Sequence, residues 1–168
     1  MRSIVSASTI ICALVFSTSL FAAPLPQPAG PVLLTVSGKI QQTNSPDGAH
    51  FDLAMLEALP QHTLETATPW TEGVNRYQGV LLSGLLDHLE ASGRQMTAVA
   101  LNDYQTLIDL EELRDYPVII ALRKDGDYMR IRDKGPLWIV LPLSDSKELD
   151  RPKYHAAMAW QLRTLIID

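Results

Sequence analysis

The chain has 168 residues and a single cysteine, Cys12. That cysteine lies inside an N-terminal apolar run, so the sequence beyond it carries no thiol. A disulfide scaffold, a thiolate zinc site, an iron–sulfur cluster, a c-type haem and a cysteine nucleophile are therefore excluded. Cationic charge is scarce as well: 14 Lys and Arg face 19 Asp and Glu, a formal net charge of -5, and no stretch gathers basic residues into one face. Binding to a phosphate backbone depends on such a face, which argues against nucleic acid as a partner. The 4 histidines, His50, His62, His88 and His155, include no pair at the short spacing that sets two imidazoles on one element, so they read as solvated surface residues. Ser83 lacks the glycine two places earlier that a nucleophile elbow needs. Gly79, Gly84 and Gly93 are too far apart for a phosphate-cradling loop. Asp125-Gly126-Asp127 fails as a calcium loop, because Met129 and Arg130 stand where further ligands and a glycine belong, and reads as a hairpin turn. There is no internal repeat.

What is present is ordinary globular composition, 46% hydrophobic against 20% charged. Arg2, the apolar run Ile10 to Phe16 and the small residues Ala22 and Ala23 predict a secretory signal peptide over residues 1–22, hence a periplasmic protein. The run is shorter than the roughly 20 residues that span a bilayer, so no direct membrane insertion is expected after cleavage. Pro24, Pro26, Pro28 and Pro31 predict an extended lead-in over 23–31. Residues 32–168 are then one domain around one core.

Within that domain Val32 to Val36 reads as a buried strand, and Asp52 as the N-cap of a helix from Leu53 to Leu59, stapled by Phe51 and Leu56 and ended by Pro60. His62 to Thr68 alternates as a strand. Gly84 to Ser92 reads as a helix capped by Ser83, with Gly93 as its left-handed terminator. Strands are expected at Thr97 to Leu101, Val118 to Lys124, Tyr128 to Ile131, Leu137 to Leu141 and Trp160 to Ile167, and a short helix after Asp109 with Glu112 completing a capping box. Strands and helices without steady alternation predict an α+β fold, a single mixed-sheet domain with short helices.

The stretch Thr68 to Tyr77 reads as a long loop carrying Trp70, Glu72, Asn75, Arg76 and Tyr77. An exposed aromatic face beside a carboxylate and a guanidinium suits a flat, hydrogen-bonding heterocycle. The competing reading puts Trp70 and Tyr77 in the core and pairs Glu72 with Arg76 on the surface, and composition alone favours it.

Several segments, taken in order, shift that balance: Thr68-Pro69-Trp70-Thr71-Glu72-Gly73, Tyr77-Gln78-Gly79-Val80-Leu81-Leu82-Ser83-Gly84-Leu85-Leu86, Asn102-Asp103-Tyr104, and Lys134-Gly135-Pro136-Leu137-Trp138-Ile139-Val140 with Pro142. Together they resemble the oxidoreductase molybdopterin-binding domain, the fold of sulfite oxidases. Trp160-Gln161-Leu162 is similar to its small exported members. In the redox enzymes of that family a cysteine thiolate binds molybdenum; here the corresponding loop holds Thr68 to Val74. The chain thus resembles the thiol-free branch, PruR-type periplasmic pterin-binding proteins that work with a membrane sensor controlling cyclic di-GMP or with a histidine kinase. The resemblance implies a free pterin ligand without metal, a non-catalytic role, and a partner in the periplasmic part of an inner-membrane sensor. The alternative is a molybdopterin-dependent oxidoreductase subunit. For a pterin, the resemblance makes Asp103 or Glu72 the anchor of the amino edge and Trp70 or Tyr104 the stacking ring, with Tyr77 beside them. Arg76, Arg132 and Lys134 would donate to its carbonyl or side chain, and Asn102 would complete the edge.

Overall fold

The computed structural model describes residues 24–168; the signal peptide expected over 1–22 and Cys12 lie outside the described residues. In chain order the elements are β1 Leu34–Gly38, β2 Ala49–Phe51, α1 Leu53–Ala58, β3 Gln61–Ala67, β4 Val74–Leu81, α2 Leu82–His88, β5 Gln95–Ala100 and β6 Gln105–Asp109. There follow α3 Leu110–Leu113, β7 Ile119–Lys124, β8 Asp127–Tyr128, β9 Trp138–Val140, α4 Pro152–Ala157 and β10 Leu162–Ile167, with 3-10 turns at Ile131–Asp133 and Lys147–Leu149.

The strands form two five-stranded sheets. One has the order β2-β1-β10-β5-β6, and the other runs β3-β4-β7-β8 with β9 also paired to β7. Only β1 and β10 pair in parallel among these neighbours. A mixed architecture with short helices follows from the pattern of short β-branched strands broken by Pro and Gly. The core is continuous: Leu34, Val36, Leu165 and Ile167 of the first sheet and Val80, Ile119, Ile120 and Ile139 of the second belong to one buried cluster. The two sheets are joined by the segments flanking β9 and β10, where Gln161 N–H donates to the Lys134 carbonyl at 3.0 Å, Ile139 N–H to Ala159 at 3.0 Å and Leu162 N–H to Leu137 at 2.9 Å.

Local expectations hold at the first helix. Asp52 caps it, its carboxylate accepting from Met55 N–H at 2.9 Å, while Phe51 and Leu56 are buried as a staple requires. The same carboxylate accepts from Ala29 and Gly30 N–H at 2.8 and 2.7 Å, so it also latches the proline-rich lead-in to the fold.

Elsewhere the structure corrects the sequence reading. The expected loop ends at Gly73: Asn75, Arg76 and Tyr77 belong to β4, which pairs along its length with β3. The helix expected from Gly84 begins at Leu82 without a side-chain cap, its first N–H donating instead to the Val118 carbonyl at 2.9 Å. Its left-handed terminator is Glu90, φ 50, not Gly93. Gly93 is needed for close approach, since a Cβ there would lie 2.4 Å from Ile167 Cγ2. The strand expected at Tyr128 to Ile131 stops at Tyr128 and gives way to a 3-10 turn. Strand β6 and helix α4 are additions, because alternation over Gln105–Asp109 is short and the helix has little apolar periodicity.

Candidate functional site

The chain's 3 tryptophans converge on one site. Trp70 comes from the β3–β4 connection, Trp138 opens β9, and Trp160 lies two residues before β10. An isolated bridge pairs Trp138 with Trp160. The Trp70 ring stands 5.0 Å from Trp160 at 70° and 6.2 Å from Trp138 at 58°, in the edge-on and tilted arrangements that the ring quadrupole favours. His155 of α4 meets Trp70 edge-on at 6.1 Å. Lys134 lies over Trp160 with Nζ 4.9 Å from the ring centroid and 5.9 Å from that of Trp138.

Trp138 is the floor of this cluster. It is fully buried, its indole N–H donates to the Met158 carbonyl at 3.0 Å, and Tyr77 packs against it at 5.4 Å and 87°. Trp70 is half-buried and lines two cavities. The first, of about 190 Å³, is walled by Trp70, Trp160, Tyr104, Met158, His155 and Asn102 and is mostly apolar. The second, of about 410 Å³, is lined by Trp70 and Trp138 and brings in Lys124, Arg132 and Lys134 together with Asp127 and Asp133.

Two hairpin connections shape the first cavity. The β5–β6 turn places Asp103 at φ 64, Asn102 Oδ1 accepts from Tyr104 N–H at 3.2 Å, and the Tyr104 hydroxyl donates to the Ala156 carbonyl at 3.2 Å, tying the turn to α4. The β3–β4 connection is ordered by Asn75, whose amide donates to Glu72 and Gly73 carbonyls at 3.0 and 3.1 Å and to Thr71 Oγ1 at 3.3 Å. A hydroxyl chain runs beneath it, Thr68 to Thr71 at 2.8 Å and Thr71 to Tyr77 at 3.4 Å. Burial pushes the Tyr77 phenol up from its ordinary value of 10.0, with the Thr71 contact partly opposing it.

Of the residues predicted from sequence, the structure gathers Trp70, Asn102, Tyr104, Arg132 and Lys134 around the two cavities. Glu72, Arg76, Tyr77 and Asp103 line neither cavity. Tyr77 is enclosed under Trp138, as strand alternation demands of the residue opposite Leu64, so it supports the cleft and offers no face to a ligand. Arg76 points to solvent on the same strand, its N–H donating to Asp125 at 2.9 Å. Glu72 is exposed beside the Gly73 turn. The Asp103 carboxylate is exposed and accepts from Arg163 at 2.7 Å. The anchoring carboxylate drawn from the resemblance is therefore not at the aromatic wall. Trp138, Trp160, His155 and Met158 escaped the sequence reading as site residues. The scarcity of tryptophan was the one signal that would have grouped two of them, Trp138 and Trp160, with Trp70.

The thiolate molybdenum site implied by the fold can be tested on these side chains. Among the described residues there is no thiol and no cluster of three or more His, Asp or Glu able to hold a metal ion, and the Thr68–Gly73 loop offers hydroxyls and one exposed carboxylate. This donor set does not fit a thiolate-ligated molybdenum. Among the described residues no helix is long and apolar enough to cross a membrane.

No protein-family model matches the chain, and no curated protein matches it in sequence. Among solved structures it is similar to the sulfane dehydrogenase SoxCD from Paracoccus pantotrophus, with a TM-score of 0.59 at 19% identity, over 80% of this chain and 37% of that one. The chain thus spans little more than a third of that structure's length, and the likeness is one of fold: a single mixed α+β domain.

Proposed function

We propose that this protein binds a free pterin in the tryptophan cleft, without catalysing its turnover, and presents the ligand state to the periplasmic part of an inner-membrane sensor, one that controls cyclic di-GMP or a histidine kinase. The observation that carries the ligand is the meeting of Trp70, Trp160 and Tyr104 around a partly open cavity of about 190 Å³, with Trp138 packed against Trp70. A flat ring entering there gains two aromatic faces while Asn102 and His155 meet its polar edge. Arg132 and Lys134, which line the second cavity with Trp70, are placed for a polar or anionic substituent of the ring. A binding role fits a site with aromatic walls and no metal-ligand cluster or nucleophile–base pair.

The second reading, a molybdopterin-dependent oxidoreductase subunit, is favoured by the fold shared with a dehydrogenase. It meets the donor-set disagreement described above. One experiment separates the two. The protein is purified from cells that make the molybdenum cofactor, denatured, and its released small molecules and metals are quantified. The carrier reading predicts stoichiometric pterin without molybdenum; stoichiometric molybdenum would establish the second reading instead.

A further inference from the structure

We propose that His155 is a binding residue of the cleft, accepting a ring N–H of the ligand at Nδ1 while Asn102 donates to a ring carbonyl, so that the pair selects a lactam edge. This inference rests on the pterin reading of the same cleft.

Three polar side chains face the first cavity: Asn102, Tyr104 and His155. No carboxylate is among its lining residues, so a ligand N–H there finds no Asp or Glu to accept it. The Tyr104 hydroxyl already donates to Ala156. Asn102 uses its oxygen on Tyr104 N–H, which leaves its amide hydrogens as donors. His155 is fixed from behind: its Nε2 lies 2.8 Å from Asp150 Oδ1. A carboxylate only accepts, so Nε2 must carry the hydrogen, and in the neutral imidazole Nδ1 is then a lone-pair acceptor. Among the described residues nothing hydrogen-bonds Nδ1. The edge-on contact with Trp70 at 6.1 Å holds the ring plane, and backbone bonds from His155 N–H to Arg151 at 3.0 Å and from Met158 N–H to His155 at 3.1 Å hold its base.

One donor from the β5–β6 turn and one acceptor from α4 complement a ring that carries C=O beside N–H. A pterin lactam has that edge; a ring methylated at the lactam nitrogen lacks the N–H. Asp150 acts here as a positioning residue, setting which nitrogen of His155 is free.

The test titrates pterin (2-amino-4-oxopteridine) and its N3-methyl derivative into the wild-type protein and His155→Phe, with melting temperatures measured alongside. The wild type is expected to prefer pterin about tenfold, the worth of one hydrogen bond whose loss leaves a partner unpaired. His155→Phe is expected to melt like the wild type, bind pterin about tenfold more weakly and no longer distinguish the two rings. Asp150→Ala should reproduce part of that loss and Asp150→Asn, whose amide oxygen still accepts from Nε2, should restore it. A wild type that binds both rings equally overturns the role of His155 and leaves the cleft reading standing, with no variant required. A wild type that binds no pteridine overturns the cleft reading, and this inference with it.

Discussion

Truncating Trp70 and truncating Trp138 should have different consequences, although the rings touch. Trp138 is fully buried, and its loss removes its packing against Tyr77 and Trp70 and strands the Met158 carbonyl that accepts from its indole N–H. The transfer and cavity terms for a buried tryptophan, with an unpaired carbonyl added, put Trp138→Ala at about 5 kcal/mol. Trp70 lines cavities of about 190 and 410 Å³ that open to solvent, so water fills the space it leaves. Its cost reduces to the transfer term, and roughly 100 Å² at about 25 cal/mol/Å² gives about 2.5 kcal/mol. Urea unfolding at matched m-values reads the difference, and thermal unfolding should show a drop of about 5–10 °C for Trp70→Ala and about twice that for Trp138→Ala. In pterin titrations Trp70→Ala should weaken binding by about tenfold or more, because a stacking face is lost. If Trp70→Ala loses as much stability as Trp138→Ala while leaving pterin affinity unchanged, Trp70 is a core plug and the reasoning fails.

Three other outcomes follow from the same geometry. Backbone N–H groups of Met55 and Gly30 hold the Asp52 carboxyl below its ordinary value of 3.8. A lowered folded-state pKa gives stability that is full above the unfolded value and lost as pH falls through the folded one, so the wild-type advantage over Asp52→Asn should be present at neutral pH and shrink below about pH 4; an advantage that grows on acidification would contradict this latch. Gly79→Ala would place a Cβ 2.0 Å from the Ile120 carbonyl across the β4–β7 ladder, and a loss of about 3 kcal/mol or more is expected in denaturant unfolding. Ser144→Ala should cost about 1–2 kcal/mol, because Ala67 N–H at 2.9 Å loses its acceptor and the Thr66 hydroxyl loses a neighbour; an unchanged unfolding midpoint would remove this clamp from the β3 end.

Local chemistry made much of the fold legible. Asp52 with Phe51 and Leu56 announced a capped helix, and Asp125-Gly126-Asp127 announced the turn between β7 and β8, because each rule acts within a few residues. The extent of β4 was not legible: Val74, Asn75, Arg76 and Tyr77 mix apolar and polar residues as a loop does, and only pairing with β3 on one side and β7 on the other makes them a strand. Strand β6 was hidden for the same reason, with Leu107 facing solvent where alternation would have shown a polar residue. The site was legible only in part. Trp70, Asn102, Tyr104, Arg132 and Lys134 stood in segments that the family resemblance picked out. Trp138 and Trp160 lie far from Trp70 in sequence, and the joining of the two sheets, which no local pattern encodes, brings them together. His155 looked like a surface histidine because neither Asp150 nor Trp70 sits at a spacing that marks a dyad.

Because Trp70 and Trp160 wall the cleft and Trp138 packs against Trp70, the intrinsic emission of the chain responds to what enters the cleft. The decisive measurement is therefore tryptophan emission of the protein during titration with reduced and oxidised pterins. The account predicts saturable quenching at one pterin per chain, with that response weakened in Trp70→Ala. Emission that stays constant, or declines linearly without saturation as for free tryptophan in solution, would contradict it.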